Sequence, residues 1–265
     1  MFTVGRLAQP NTIGEAYRVL TEERDAAILG GCAFLRMGSR KISTAIDLTN
    51  LGLKGIREHA DWLEIGAMTT FRMLETDPLT SKRFDGVLVE AVKQVLGVQF
   101  RNLVTVGATV FSKYGFSDLI PALLVLETEV ELANAGRITL ETFLNRPSGK
   151  DILLRVWIRQ DGRRAAYRSF RNSASDFPVL TAAVSWLPGQ GRIVIGARPS
   201  KAEIAVKASQ ILSEMDFDGP KIDEIASIAA AEMSFGSNMR GSAEYRRELC
   251  KVLVKRAVAE VAACK

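Results

Sequence analysis

Histidine is almost missing from this chain: His59 is the only one among 265 residues. Zinc sites built on several histidines are therefore excluded, and a Ser-His-Asp triad would rest on one residue within "REHADW", a polar stretch that reads as a solvated turn. Cysteine is nearly as scarce. Cys32, Cys250 and Cys264 are odd in number and far apart, so they supply neither a disulfide framework nor a CxxC metal knuckle, and the chain holds no iron-sulfur cluster of its own. No apolar run approaches the roughly 20 residues needed to cross a bilayer. The stretch from Met1 to Pro10 also has no apolar core of signal-peptide length, and the cytoplasm is the expected location. Neither GxGxxG nor GxxxxGK[ST] occurs, so the dinucleotide and P-loop fingerprints are absent.

What is present is an ordinary globular composition, 47% hydrophobic and 25% charged, in a chain long enough for one large or two modest domains. The net charge is +5 and the pI 9.2, yet the basic residues are scattered, with only short pairs such as Arg163-Arg164 and Arg246-Arg247. That distribution argues against nucleic acid and suits an anionic cofactor or an acidic partner.

The opening segment alternates strand and helix signals. "FTVGRLAQP" reads as a strand, Thr12 and Glu15 have capping-box spacing for the helix "GEAYRVLTEE", and "AAIL" and "TAIDLT" read as further strands. "DWLEIGAMTT" alternates like a strand, "TTFRMLETDP" starts a helix that stops near Pro78, and "GVLVEAVKQVLG" has helical spacing with Gly97 as C-cap. The β-branched run before Gly107 predicts another strand. Ser117 or Asp118 then caps an apolar helix before the strand "TEVEL". After Lys150 the pattern changes. "DILLRVWIRQ", "RRAAYRSFR", "AAVSWL" and "GRIVIGARP" predict antiparallel strands turning at Asp161-Gly162 and Pro188-Gly189, and three helical segments follow. The expected class is α+β: a two-part N-terminal α/β domain over 1–150, then an antiparallel sheet with a helix bundle over 151–265.

Two glycine loops stand at expected strand ends, Gly30-Gly31 and Gly107. Taken alone, each is better explained by a plain turn than by a phosphate cradle. Trp62, Trp157 and Trp186 are expected in the core. Tyr114 and Phe116 flank Gly115, where a ring could stack on a planar ligand or close the loop's own small core. Cys32 reads as a small packing residue rather than a redox nucleophile.

In order and spacing, "LGGCAF" at 29–34, "TVGAT" at 105–109 and "SDLIPALLVLETEVEL" at 117–132 resemble the flavoprotein subunit of the molybdenum-containing hydroxylases, the family of xanthine dehydrogenase. "KDILLRVWI", "AYRSFRNSASDFPVL", "IVIGARPSKAEI" and "RGSAEYRRELCKVLVKRAV" are similar to that family's C-terminal flavoprotein domain, most closely in the branch of small FAD subunits found with purine hydroxylases. The resemblance implies a PCMH-like FAD-binding domain. The backbones of Ile28, Leu29, Gly30, Gly31, Cys32, Ala33 and Phe34, and of Thr105, Val106, Gly107, Ala108 and Thr109, would cradle the FAD pyrophosphate.

The same resemblance implies that Asp118 accepts a hydroxyl of the ribitol or ribose, or caps its helix. Leu153 falls where the family has an apolar residue near the flavin, and Arg168 stands in the place of a lysine close to the cofactor. Cys32, Ala108 and Thr109 depart from the family's threonine, glycine and asparagine, and Asn172 and Ser173 stand where paired arginines often follow. An iron-sulfur small subunit and a molybdopterin large subunit are the implied partners, with NAD+ as acceptor and a purine oxidised elsewhere. On this reading the chain supplies no catalytic residue, holds no metal and touches no nucleic acid or membrane. A structural subunit that has lost FAD, and a stand-alone FAD oxidoreductase, are the alternatives.

Overall fold

The structure, a computed structural model, describes residues 2–215 and 221–263, so Cys264 lies outside it. Contacts group the chain into two units, each assembled from three stretches: Met1–Met73, Val98–Ser112 and Thr128–Ile158 form the first, and Leu74–Gly97, Lys113–Glu127 and Arg159–Lys265 form the second.

The first unit contains a parallel sheet of β1 (Thr3–Ala8), β2 (Ala27–Leu29) and β3 (Lys41–Asp47), in the order β1-β3-β2. The helix Ile13–Glu22 connects β1 to β2 and buries Ala16 and Leu20. Thr12 Oγ1 accepts the N–H of Glu15 at 3.1 Å, as the capping-box spacing predicts. The Glu15 carboxylate reaches back to the N–H of Asn11 rather than that of Thr12. All three strands end at one edge of the sheet, where Asp47 Oδ1 accepts the N–H and hydroxyl of Thr49 and Oδ2 accepts from Gln9.

A second sheet in this unit contains β4 (Ile56–His59), β5 (Trp62–Gly66), β6 (Thr128–Leu132), β7 (Gly136–Thr139) and β8 (Leu153–Arg159), ordered β4-β5-β8-β6-β7. β8, which follows the expected domain cut near Lys150, pairs with β6 in the first unit's sheet. Its side chains explain the choice. Val156 faces Val130, while Arg155 ion-pairs with Glu131 at 3.2 Å and with Glu64 at 3.1 Å, and Trp157 Nε1 donates to Glu131 at 2.9 Å. Glu64 also hydrogen-bonds His59 at 2.7 Å; this histidine is the exposed last residue of β4, solvated as expected but placed on a strand end rather than in the turn itself. Arg137 stacks over Trp62 and Trp157, which are half-buried beneath it rather than core residues.

The second unit contains the antiparallel sheet β9 (Arg164–Phe170), β10 (Leu180–Leu187), β11 (Gln190–Gly196) and β12 (Glu203–Ile204), ordered β12-β11-β10-β9. The helices Val206–Ser213, Lys221–Glu232 and Ala243–Ala263 form its main core with β10 and β11, through residues such as Leu180, Val184, Ile195, Leu253 and Val258. The helix Leu119–Leu124 ends against the same unit's strands. Arg192 caps the carbonyls of Leu124 and Leu126, and Ser185 caps that of Val125. The helix Val87–Val92 stops before the expected cap at Gly97, with Leu96 in the left-handed region.

Gly107 occupies one of the close approaches that position the first unit's loops. The segment Ala67–Phe71 runs beside Val104–Gly107. Val106 N–H donates to Thr69 O, and Gly107 N–H donates to Ala67 O at 2.8 Å. A Cβ on Gly107 would lie 2.6 Å from Ala67 Cβ and 2.8 Å from its carbonyl oxygen.

Gly107→Val is expected to cost about 2–3 kcal/mol in urea unfolding through overpacking. Gly149→Ala, which meets nothing within 4 Å, should stay within about 0.5 kcal/mol of the parent. For Asp47, hydrogen bonding led by Thr49 holds the carboxyl below the ordinary range. Its folded pKa lies under its unfolded one, so its stabilising contribution is present above about pH 4 and is lost as pH falls through the folded value. Asp47→Asn should therefore lower the melting temperature at pH 7, with the gap from wild type closing towards pH 3. A gap independent of pH would remove the carboxylate from this account.

Candidate functional site

The two glycine loops meet in the first unit. Thr105 Oγ1 lies 3.3 Å from the carbonyl oxygen of Gly30, which is 75 positions earlier. A Cβ on Gly30 would sit 2.7 Å from Ala108 Cβ, and one on Gly31 would sit 1.8 Å from Leu103 O. Both glycines are thus required by the approach of one loop to the other. Ala108 fits because its methyl fills the space that Gly30 leaves open.

The loops differ in what their N–H groups do. Thr105 makes an isolated bridge to Thr70, and the helix Val106–Ser112 starts immediately after it. The β-branched run is therefore no strand, and Gly107 sits in the first turn of a helix. The orphan donors of that turn are spent on protein: Val106 on Thr69 O, Gly107 on Ala67 O, and Ala108 on Thr105 Oγ1 at 3.3 Å, with Thr109 N–H returning to Thr105 O. In the first loop Gly31 (φ +80) and Cys32 (φ +59) are consecutive left-handed residues at the carboxyl end of β2. Among the described residues, nothing accepts the backbone N–H groups of Gly31, Cys32 or Ala33. Phe34 leads into a short 3-10 turn, Leu35–Met37. Ile28 and Leu29 turn their side chains into different cores and contribute only backbone here.

Partial burial pushes the Cys32 thiol up, opposed by nearby Arg36 and assisted by Asp47, so it stands as a neutral thiol. Arg36 and Asp47 are charged neighbours of this loop that motif reading does not single out. Leu153 is buried opposite Leu132, and its neighbour Leu154 accepts the N–H of Ala67. The apolar position thus lies in the framework behind the second loop.

Asp118 and Arg168 belong to the second unit. Asp118 is buried but does not cap its helix; Ser117 Oγ takes that role on Ile120 N–H. One oxygen of Asp118 accepts Tyr167 Oη and Arg171 Nη2, each at 2.6 Å. Burial drives the Asp118 carboxyl up while Arg171 and Tyr167 draw it down, and burial also carries the Tyr167 phenol well above its usual range. Arg171 Nε and Nη1 are buried with no partner. Arg168 alternates away from Tyr167 along β9 and ion-pairs with Glu260 on the last helix. Tyr167 and Arg171 are therefore the residues of "AYRSFR" that meet Asp118, and strand alternation with a cation three positions after Arg168 was the available signal.

Two family models cover the chain. The FAD binding domain in molybdopterin dehydrogenase matches residues 2–158, and the CO dehydrogenase flavoprotein C-terminal domain matches 165–261. The nicotine 6-hydroxylase medium subunit of Paenarthrobacter nicotinovorans is 25% identical over 97% of this chain and 97% of its own. The putative xanthine dehydrogenase FAD-binding subunit XdhB of Escherichia coli is 21% identical over 99% and 98%. Among solved structures, reconstituted CO dehydrogenase from Oligotropha carboxidovorans shares the fold, with a TM-score of 0.89 over 99% of both chains at 23% identity. Loop order, fold and both domain matches agree, and the chain belongs to the FAD-binding medium subunits of the molybdenum hydroxylases.

Proposed function

We propose that the chain is the electron-transfer subunit of a cytoplasmic three-part purine hydroxylase and holds the FAD diphosphate mainly on its first glycine loop. The observation that carries this reading is the run of donors on Gly31, Cys32 and Ala33, left unpaired in a left-handed turn at the carboxyl end of a parallel sheet. Consecutive backbone N–H groups of this kind form an anion cradle, and strand carboxyl ends are where open parallel sheets take ligands. Gly31 has no side chain to block the approach, and Arg36 adds positive charge. The second loop contributes shape: Thr105 and Ala108 buttress Gly30 while the donors from Val106 to Thr109 stay on protein. In the second unit one oxygen of Asp118 is engaged by Tyr167 and Arg171, and the cofactor hydroxyl contact expected of Asp118 rests on the family resemblance alone. Leu153 supports the loops from behind, and Arg168 contributes charge through the last helix rather than contact.

Held on the first loop, FAD would supply the redox chemistry between a partner's iron-sulfur clusters and NAD+, while Gly31, Cys32 and Ala33 would bind and orient it. The iron-sulfur and molybdopterin partners and the NAD+ acceptor rest on the family resemblance, and the purine substrate on the likeness of "AYRSFRNSASDFPVL" to the purine-hydroxylase branch. No acid/base pair in this chain is needed for the reaction, since the protein contributes binding and orientation.

Two measurements test the reading. The purified chain should be yellow, or become so when FAD is added to the colourless form. A chain that never takes up flavin would instead be a structural subunit, and one that oxidises a small substrate without partners would be a stand-alone enzyme. Iodoacetamide at pH 9 should alkylate Cys32 at least about fivefold more slowly with saturating FAD, read by peptide mass spectrometry. Cys250, buried and with its thiol pushed up to about 12, serves as the unreactive control. Equal Cys32 labelling with and without bound FAD would sink the first-loop site.

A further inference from the structure

The two oxygens of Asp118 are unlike. Oδ1 is crowded: the Tyr167 hydroxyl and Arg171 Nη2 both donate to it at 2.6 Å. Oδ2 accepts nothing among the described residues, yet it is not sealed in, and the side chain keeps 8% of its surface open. The carboxylate therefore has one acceptor to spare.

Arg171 is an unusual partner for it. Its side chain is 6% exposed, and Nε and Nη1 are buried with no partner, so the guanidinium engages Asp118 through Nη2 alone. A guanidinium satisfied on one nitrogen is a poor structural tie, but with little water to screen it the charge acts strongly on the carboxylate it touches. Few other charges bear on the pair. Asp176 faces Arg171 from the loop after β9 and itself holds Arg240 through Nε and Nη2. The helix Leu119–Leu124 carries no charged residue. Of the elements packed on that helix, β10 has no charge, β11 brings Arg192, which is spent on Leu124 O, Leu126 O and Glu127, and the helix Val87–Val92 brings Glu90, paired with Lys93.

A proton added to Asp118 has one place to go. With Oδ1 already taking two donors, it must sit on Oδ2, where it turns the spare acceptor into a donor. Burial favours that protonation, and Arg171 and Tyr167 oppose it.

We propose that Arg171 and Tyr167 are positioning residues: by filling Oδ1 they hold Asp118 ionised, with Oδ2 presented as a hydroxyl acceptor, so that FAD affinity follows the protonation of Asp118. The inference rests on the functional reading above and on the family expectation that Asp118 meets a cofactor hydroxyl. Affinity is full above the pH at which Asp118 takes its proton and declines below it.

FAD affinity of the full-length chain, read by flavin fluorescence across the pH range in which the chain stays folded, tests this without any turnover. Wild type should show a limb in which affinity falls towards acid, and Asp118→Asn should lose that limb. Arg171→Gln should move the midpoint up by about 1–3 pH units, the effect of losing an adjacent opposite charge, and Arg171→Lys should return most of the shift. Tyr167→Phe, which removes a neutral donor, should move it up by less, and it decides the matter alone if Arg171→Gln does not fold. A merely structural side chain would weaken binding equally at every pH. Flavin uptake with the midpoint unchanged in either folded variant, or with the limb kept in Asp118→Asn, overturns this inference alone. A wild type that takes up no flavin at any pH sinks the functional reading together with it.

Discussion

The first unit's site depends on one backbone contact, the N–H of Gly107 on the carbonyl oxygen of Ala67 at 2.8 Å. Ala67 is held in turn by Leu154, whose carbonyl accepts its N–H, so a line of backbone bonds runs from β8 through Ala67 into the helix Val106–Ser112. That line sets the height of Ala108 and Thr105, and their side chains set the position of Gly30. Only then is Gly31 brought over Leu103 and the chain forced through two left-handed residues. The donors of Gly31 to Ala33 are free because the loop's course is fixed by contacts that do not use them. A bond lost early in this line would be felt at the loop, although Ala67 touches nothing that a ligand would touch.

The second unit solves the same problem with charge. Arg192, Arg198 and Arg246 spend their donors largely on carbonyl oxygens that secondary structure leaves over, at helix ends and in loops, and Arg163 is held chiefly by the Asp161 carboxylate. Each such guanidinium is costly to desolvate, and truncating one would strand several buried acceptors at about 1–3 kcal/mol each. The basic pI is thus partly structural. Several of the arginines that raise it are buried and engaged, so their charge is not displayed to solvent.

The helices and the central strands were legible because their periodicity is strong, and the Thr12–Glu15 cap because its chemistry is local. The pairing of the two glycine loops was legible only through their order relative to "SDLIPALL". What sequence could not show was partnership. Val104 to Val106 has strand propensity, yet its neighbours on Ala67–Phe71 turn it into a bridge and a helix start. β8 has the alternation of any antiparallel strand, and only the match of Arg155 and Trp157 to Glu131 and Glu64 decides its sheet. Asp118 precedes a helix, where a cap is the local expectation, but a tyrosine 49 positions later claims its oxygen. Arg171 was hidden for the same reason.

The interleaving of the two units has a kinetic side. Gly30 has no partner until Thr105 is made, and Lys150 reaches back to Glu23 over 127 positions, so no ribosome-bound fragment shorter than about the first 158 residues can complete the first unit. The second waits longer. The helix Ala243–Ala263 packs on β9 and β10, which leaves the apolar face of that sheet uncovered until the helix is made. Folding dominated by such distant pairings is slow and exposes surface to aggregation. Until that helix is made, the apolar face of the sheet must be kept from other chains by something other than its own fold.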